Sequence, residues 1–232
     1  MNFENKLISG LLVKRYKRFF VEIKIGNKII TAHCPNTGSM YGLLKPGNKV
    51  WLTKSNNSKR KLKYTLQIIE DNKKKVGINT HLTNNIVSEA IRNKLITEFN
   101  NVEIIKQEVR FGTNTRFDFF LSNHKEKYFL EVKNVTLSRK KTIAEFPDAV
   151  TSRGAKHINE LLKAKKLNYK IYILFVVQRD DCTEFKIADD IDQIYSKLLT
   201  KAIKEGLRIL CYDCKFSSKG IKLNKPLKFI SQ

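Results

Sequence analysis

The spacing of apolar residues changes near residue 80, and that change restricts the chain to two kinds of structure in series. Residues 10–70 read as short strands broken by turns. "RFFVEIKIGNKIITAHC" predicts a hairpin around Gly26-Asn27, "PNTGSMYGLLKPG" supplies turn residues, and "NKVWLTKS" and "RKLKYTLQII" are two further strands. Short, evenly spaced strands without helical periodicity predict a small barrel of the OB type over residues 1–80. From residue 83 the recurrence becomes helical. "TNNIVSEAIRNKLITEF" carries apolar residues at 86, 87, 90, 91, 95 and 99, with Thr83, Asn84 and Asn85 as candidate N-caps. The strand "VEIIKQEVRF" follows, then a charged hairpin, a loop "IAEFPDAVTSRG" and a helix "AKHINELLKAKKL". A nearly continuous apolar strand "YKIYILFVVQR", a helix "DDIDQIYSKLLTKAIKEG" and a strand "LRILCYDC" complete the order. Interleaved helices and strands predict a mixed sheet flanked by helices over residues 81–232, an α/β (α+β overall) arrangement.

Charge narrows the partner. The chain holds 45 Lys and Arg against 22 Asp and Glu, a net charge of +23. The first 80 residues hold 17 against 4. Base-composition drift explains why Lys outnumbers Arg, but not why acids are scarce. A field of this sign attracts polyanions, nucleic acid first and anionic membranes second. Arg15, Tyr16, Lys17, Arg18, Lys59, Arg60, Lys61 and Lys63 interleave cations with an aromatic ring and are the candidate nucleic-acid contacts. Any single barrel aromatic also suits the barrel core. No run of 18 apolar residues exists and the N-terminal apolar stretch is too short for a signal-peptide core, so the expectation is a cytoplasmic protein without a membrane partner, its four cysteines reduced.

The hairpin "TRFDFFLSNHKEKYFLEVKNVTL" (115–137) places Arg116, Asp118, Glu131 and Lys133 inside two apolar strands. Strand side chains alternate faces, so 116, 118 and 120 share one face, as do 129, 131 and 133. If Leu121 pairs with Tyr128, Asp118 lies opposite Glu131 and Arg116 opposite Lys133. Opposed like charges are destabilising unless something sits between them. A divalent cation between Asp118 and Glu131, Mg2+ or Mn2+, and a phosphate near the cations would remove both penalties. Lys133 could then orient the attacking water or stabilise charge on the phosphate. Glu-x-Lys itself occurs at Glu4, Glu22, Glu131 and Glu184, and only Glu131 has an acid at hairpin distance within an apolar strand. An exposed hairpin with offset ion pairs is the competing reading.

"HCPNTGSM" (33–40), "RFDFF…EVKNVTL" (116–137) and "FPDAVTSRGAKH" (146–157), in this order along the chain, resemble the sugar fermentation stimulation protein A family. The resemblance implies a DNA-binding protein with a suspected regulatory link to sugar use, built from an OB-fold and a PD-(D/E)xK nuclease-like domain. It implies that Asp118, Glu131 and Lys133 match the nuclease motif, with Glu108 and Arg116 at charged positions before it and Glu89 as the acid of the first helix. Glu89, however, lies off the apolar stripe of its helix. Thr115 stands where Ser is expected.

Asp148, Arg153 and His157 lie in and after a loop leading into a helix. Arg153 and the helix N–H groups could hold a phosphate and His157 could carry a proton; a loop braced by an Asp–Arg pair fits equally. Cys211 and Cys214 are a weak zinc signal, because residues three apart on a strand face opposite sides. The basic tail "KFSSKGIKLNKPLKF" either lies on DNA or stays solvated. Three functions remain: a metal-dependent nuclease, a non-catalytic DNA-binding regulator, and an RNA-binding module.

Overall fold

A computed structural model describes residues 1–113 and 115–230. Six strands come first: β1 (Ile8–Tyr16), β2 (Phe20–Ile25), β3 (Lys28–His33), β4 (Lys49–Lys54), β5 (Tyr64–Asp71) and β6 (Lys74–Gly77). Their order is β3-β2-β1-β4-β5-β6, and a β3–β5 pairing at His33 and Thr65 closes the first five into the expected barrel. Alternation places Val21 and Ile23 of β2 and Val50 and Leu52 of β4 inside the barrel, and a bulge at Gln67 brings both Leu66 and Ile69 of β5 in beside them. Gly26, at φ +57°, turns the β2–β3 hairpin.

A 3-10 turn (Thr80–Leu82) leads into α1 (Thr83–Arg92). Then come β7 (Ile104–Phe111), β8 (Thr115–Ser122), β9 (Lys127–Val135), β10 (Leu137–Lys140), β11 (Ile143–Phe146), α2 (Ser152–Lys166), β12 (Lys170–Val177), β13 (Glu184–Ile187), α3 (Gln193–Lys204), β14 (Arg208–Phe216), β15 (Ile221–Pro226) and β16 (Lys228–Ile230). The main sheet runs β15-β14-β12-β9-β8-β7, with β12 parallel to both β9 and β14. β12 is covered on both faces, as its apolar run requires. Ile171, Ile173, Phe175 and Val177 join a core with α2 and α3. Tyr172, Leu174 and Val176 join a second core with α1, to which Ile68 of the barrel also belongs.

Two local expectations are corrected. The first helix stops at Arg92 instead of running to Phe99. Lys94 adopts φ +57°, and the Leu95 and Lys94 amides return to the carbonyls of Ala90 and Ile91, a left-handed helix stop made without glycine. Ile96 and Phe99 still reach the α1 core, through a short 3-10 turn. The stretch read as a loop from Ile143 contains β11, which pairs with β10 and β13 in a separate sheet ordered β10-β11-β13-β16. The basic tail forms the end of β14, all of β15 and most of β16, with Lys222, Lys225 and Lys228 exposed.

The barrel is locked to the rest of the chain. Val76 bridges Arg179, and the Gly77 amide donates to the Gln178 carbonyl at 2.8 Å. A Cβ on Gly77 would lie 2.2 Å from the Gln178 side-chain oxygen, so glycine is needed for that approach. Buried Arg179 donates to Asp71 of β5 and to Asp181, both at 2.8 Å.

Candidate metal centre and nucleic-acid interface

The hairpin register is antiparallel with Leu121 opposite Tyr128, and the ladder runs to Phe119 opposite Leu130. The following rung would be Asp118 with Glu131. There the backbones separate, and the Asp118 carboxylate fills the gap. Its Oδ2 accepts from the Val132 amide at 2.7 Å and its Oδ1 from the Asn84 side chain at 3.0 Å. The pleat breaks at the same place. Phe117 and Phe120 both pack on Phe129 in the α2–α3 core, whereas Phe119 faces the α1 core. Simple alternation of 116, 118 and 120 therefore does not hold. Nor does the Arg116–Lys133 opposition form: Arg116 turns to Glu108 at 3.5 Å, and Lys133 donates to Glu131 Oε1 at 2.7 Å.

Glu131 is 2% exposed. Lys133 and His157 Nδ1 of α2 both bind its Oε1, while its Oε2 is buried without a partner among the described residues. Burial pushes the Glu131 carboxyl up, but the Lys133 ammonium and His157 outweigh this and hold it below its ordinary value. Asp118 goes the other way: desolvation first, then the Glu131 charge, raise it to about 6. Two neighbouring carboxylates, one pushed up and one with an orphaned oxygen, suit a hard divalent cation. Among the described residues no three His, Cys, Asp or Glu gather into a cage. The fit is to an ion held by two carboxylates that keeps water or phosphate oxygens as its other ligands.

The remaining sequence candidates separate. Glu108 sits at the rim of the centre, with φ +54° inside a strand and an Asn84 amide contact at 3.4 Å. An L-residue held in that conformation marks strain of the kind found at functional sites. Glu89 does not join; its carboxylate pairs with the Met1 amino group, because it lies off the face of α1 that meets the sheet. Asn84, one turn earlier, is the α1 residue that reaches Asp118. Asp148 does not brace Arg153. It accepts from Ser39 Oγ at 3.2 Å and the Met40 amide at 3.4 Å, latching the loop after β3. His157 reaches Glu131, and exposed Arg153 donates to His157 Nε2 at 3.5 Å, behind it. Cys211 and Cys214 pack into opposite cores.

Two contributors escaped the sequence reading. Gln178, fully buried, donates to Thr83 Oγ1 at 3.1 Å and to Asn134 Oδ1 at 2.5 Å, joining α1, β9 and the barrel behind the centre. Asn84 carried a signal only as a helix N-cap. Gln178, a polar residue ending a continuous apolar strand, carried one that was legible.

On the barrel, Lys17 and Arg18 form the β1–β2 turn and are exposed; Lys59, Lys61 and Lys63 are exposed in the β4–β5 loop. Tyr16 is half-buried, stacked on Phe20 with ring centroids 5.4 Å apart. Arg60 donates to Thr65 Oγ1 at 2.9 Å. Arg15 plays a structural part instead. Its guanidinium donates to the carbonyls of Arg18, Asn36, Gly38 and Ser39 and braces the loop after β3. No helix is long and apolar enough to cross a membrane among the described residues.

Comparison with known proteins gives a consistent picture. Residues 13–78 match the family model for the SfsA N-terminal OB domain, and residues 81–220 match that for the sugar fermentation stimulation protein RE domain. A sugar fermentation stimulation protein homolog of Pelagibacter ubique is 52% identical over 231 residues, covering all of both chains. A homolog of Maricaulis maris is 41% identical, with 98% of each chain covered. Among solved structures, SfsA of Pyrococcus furiosus in complex with Ca2+ superposes with a TM-score of 0.89 at 27% identity, covering all of this chain and 98% of that one.

Proposed function

The chain belongs to the sugar fermentation stimulation protein (SfsA) family, and on that premise we propose that it is a cytoplasmic DNA-binding protein whose Asp118–Glu131 pair holds Mg2+ or Mn2+ for phosphodiester hydrolysis. The observation that carries this reading is Glu131. Its Oε1 is fixed from two sides and its Oε2 is buried with no partner among the described residues, beside an Asp118 whose charge the fold disfavours. The Ca2+ in the Pyrococcus relative supports a divalent cation.

Asp118 and Glu131 would hold the ion. When bound, it would polarise the phosphate and lower the pKa of a coordinated water. The protein's own groups do the rest. Asn84 and the Val132 amide orient Asp118, and His157 and Lys133 orient Glu131. Once Glu131 has a second partner, the Lys133 ammonium can turn to a phosphate oxygen and stabilise the charge that develops there. Exposed Arg153 reaches the same side through His157 and can hold a neighbouring phosphate.

Lys17, Arg18, Lys59, Lys61 and Lys63 grip the backbone. They occupy the two loops through which OB barrels commonly hold single strands. The test is incubation of the full chain with single- and double-stranded DNA and with RNA, with Mg2+, Mn2+ or chelator. Metal-dependent cleavage of DNA, lost in Asp118→Asn, supports the reading. Binding without cleavage under every condition replaces it with a non-catalytic regulator, and preference for RNA replaces the substrate.

A further inference from the structure

A second built cavity lies on the other side of the first turn of α1. It measures about 290 Å³, and His33, Arg60, Thr65, Gln67, Asn79, His81 and Asn85 contribute to its lining. Its floor is a fixed polar chain. Gln67 donates to Thr53 Oγ1 at 2.8 Å, Asn79 donates to Gln67 Oε1 at 2.9 Å, and Asn79 Oδ1 accepts from the His81 amide at 3.1 Å. Over this floor stand three cationic or protonatable groups. The His33 and His81 rings are 6.4 Å apart, and Arg60 lies 3.5 Å from His33 Nδ1. Arg60 has five N–H donors, and only those on one terminal nitrogen have protein partners among the described residues. The other charged groups facing the cavity are exposed Glu4 and the Met1 amino group, which is itself paired with Glu89.

Two imidazoles and a guanidinium around one space repel each other when both rings are charged. Burial, then Arg60, then His81 accordingly hold His33 below its ordinary value. An anion placed among them would reverse the repulsion and favour the protonated His33 ring. The volume sits at the low end for ligand pockets and suits one phosphate with its sugar rather than a segment of duplex. The location fits a strand's path: Arg60 belongs to the basic β4–β5 loop, and Asn85 adjoins Asn84, which binds Asp118.

We propose that the His33–Arg60–His81 cavity is a phosphate subsite. It holds one backbone phosphate of a single nucleic-acid strand between the β4–β5 loop and the Asp118–Glu131 centre, and takes up a proton when filled. The inference rests on nucleic acid being the ligand of the barrel, and its test separates the two. Binding of a short labelled single-stranded oligo(dT) and of inorganic phosphate would be measured in chelator at about pH 6 and pH 8, for the wild type and for His33→Ala/His81→Ala. The expected result is oligonucleotide affinity that rises on acidification, by up to about tenfold per pH unit for each proton taken up. The double variant should lose the histidine-borne share of this dependence, keep the share that Asp118, raised to about 6, contributes at the far end of the path, and keep salt-sensitive binding through the exposed lysines. Identical pH profiles for the two proteins overturn the subsite while leaving barrel binding intact. Proton-coupled binding of inorganic phosphate by the wild type alone, with no oligonucleotide binding, keeps the anion site and overturns its assignment to a strand.

Discussion

Replacing Asp118 by Asn isolates the electrostatic cost at the centre. In the folded chain the Asp118 carboxyl is raised from 3.8 to about 6, by desolvation and then by Glu131. Between these values the native state binds more protons than the unfolded chain, so stability falls as pH rises. The penalty is absent below about pH 4 and fully present above about pH 6, where it amounts to about 3 kcal/mol. Asn cannot ionise and carries none of it. It has one acceptor oxygen, however, for the Asn84 and Val132 donors that now share two, and losing one such bond costs about 1–3 kcal/mol. At pH 7.5 without metal the variant is therefore expected to match the wild type or exceed it by up to about 2 kcal/mol. The sharper readout is the slope. Urea unfolding at several pH values in chelator should show wild-type stability declining from pH 4 to 7 relative to the variant. Metal at about 100 times its dissociation constant should stabilise the wild type by about 2.7 kcal/mol and the variant very little. Parallel pH profiles, or an equal metal response in both proteins, would refute the reasoning.

Lys133→Ala should leave the metal-dependent rise in stability in place and lower phosphodiester cleavage by about 100-fold or more, as read in a single-turnover assay. Lys61→Ala or Lys63→Ala should weaken DNA binding alike for all sequences and reduce the log–log salt slope by about one each, measured by anisotropy over a salt series. Gly77→Ala would set a methyl group 2.2 Å from the Gln178 side-chain oxygen; thermal unfolding should show a loss of about 1–3 kcal/mol as the Thr83–Gln178–Asn134 network is displaced.

The sequence was most legible where local chemistry decides the structure. Period-two runs with Gly and Pro punctuation predicted the barrel, and the register supposed for the hairpin, Leu121 opposite Tyr128, is the one that forms. The pairing of Asp118 with a backbone amide, and the break in the pleat that follows, depend on the strands parting beyond Phe119, which alternation cannot foresee. The helix stop at Lys94 escaped because the left-handed position is held by a residue other than Gly or Asn. Glu89 was the acid of α1 that the family resemblance suggested, yet the helix presents Asn84 to the hairpin; which side of a helix meets a sheet edge is settled by packing. Arg15 read as a free cation because loop carbonyls converging from residues 36–39 leave no local mark. The cysteine pair was legible from strand geometry alone, and its members do lie in opposite cores.

Locating the ion itself tests the central claim most directly. Crystals of the full chain grown with Mn2+ and measured at the manganese absorption edge would give its position without reference to activity. The account predicts an anomalous peak within coordinating distance of one Asp118 oxygen and of Glu131 Oε2, the oxygen buried without a partner among the described residues, with Lys133 and His157 still on Oε1 or Lys133 released toward solvent. Manganese bound elsewhere, with the Asp118–Glu131 gap filled only by water, would contradict it.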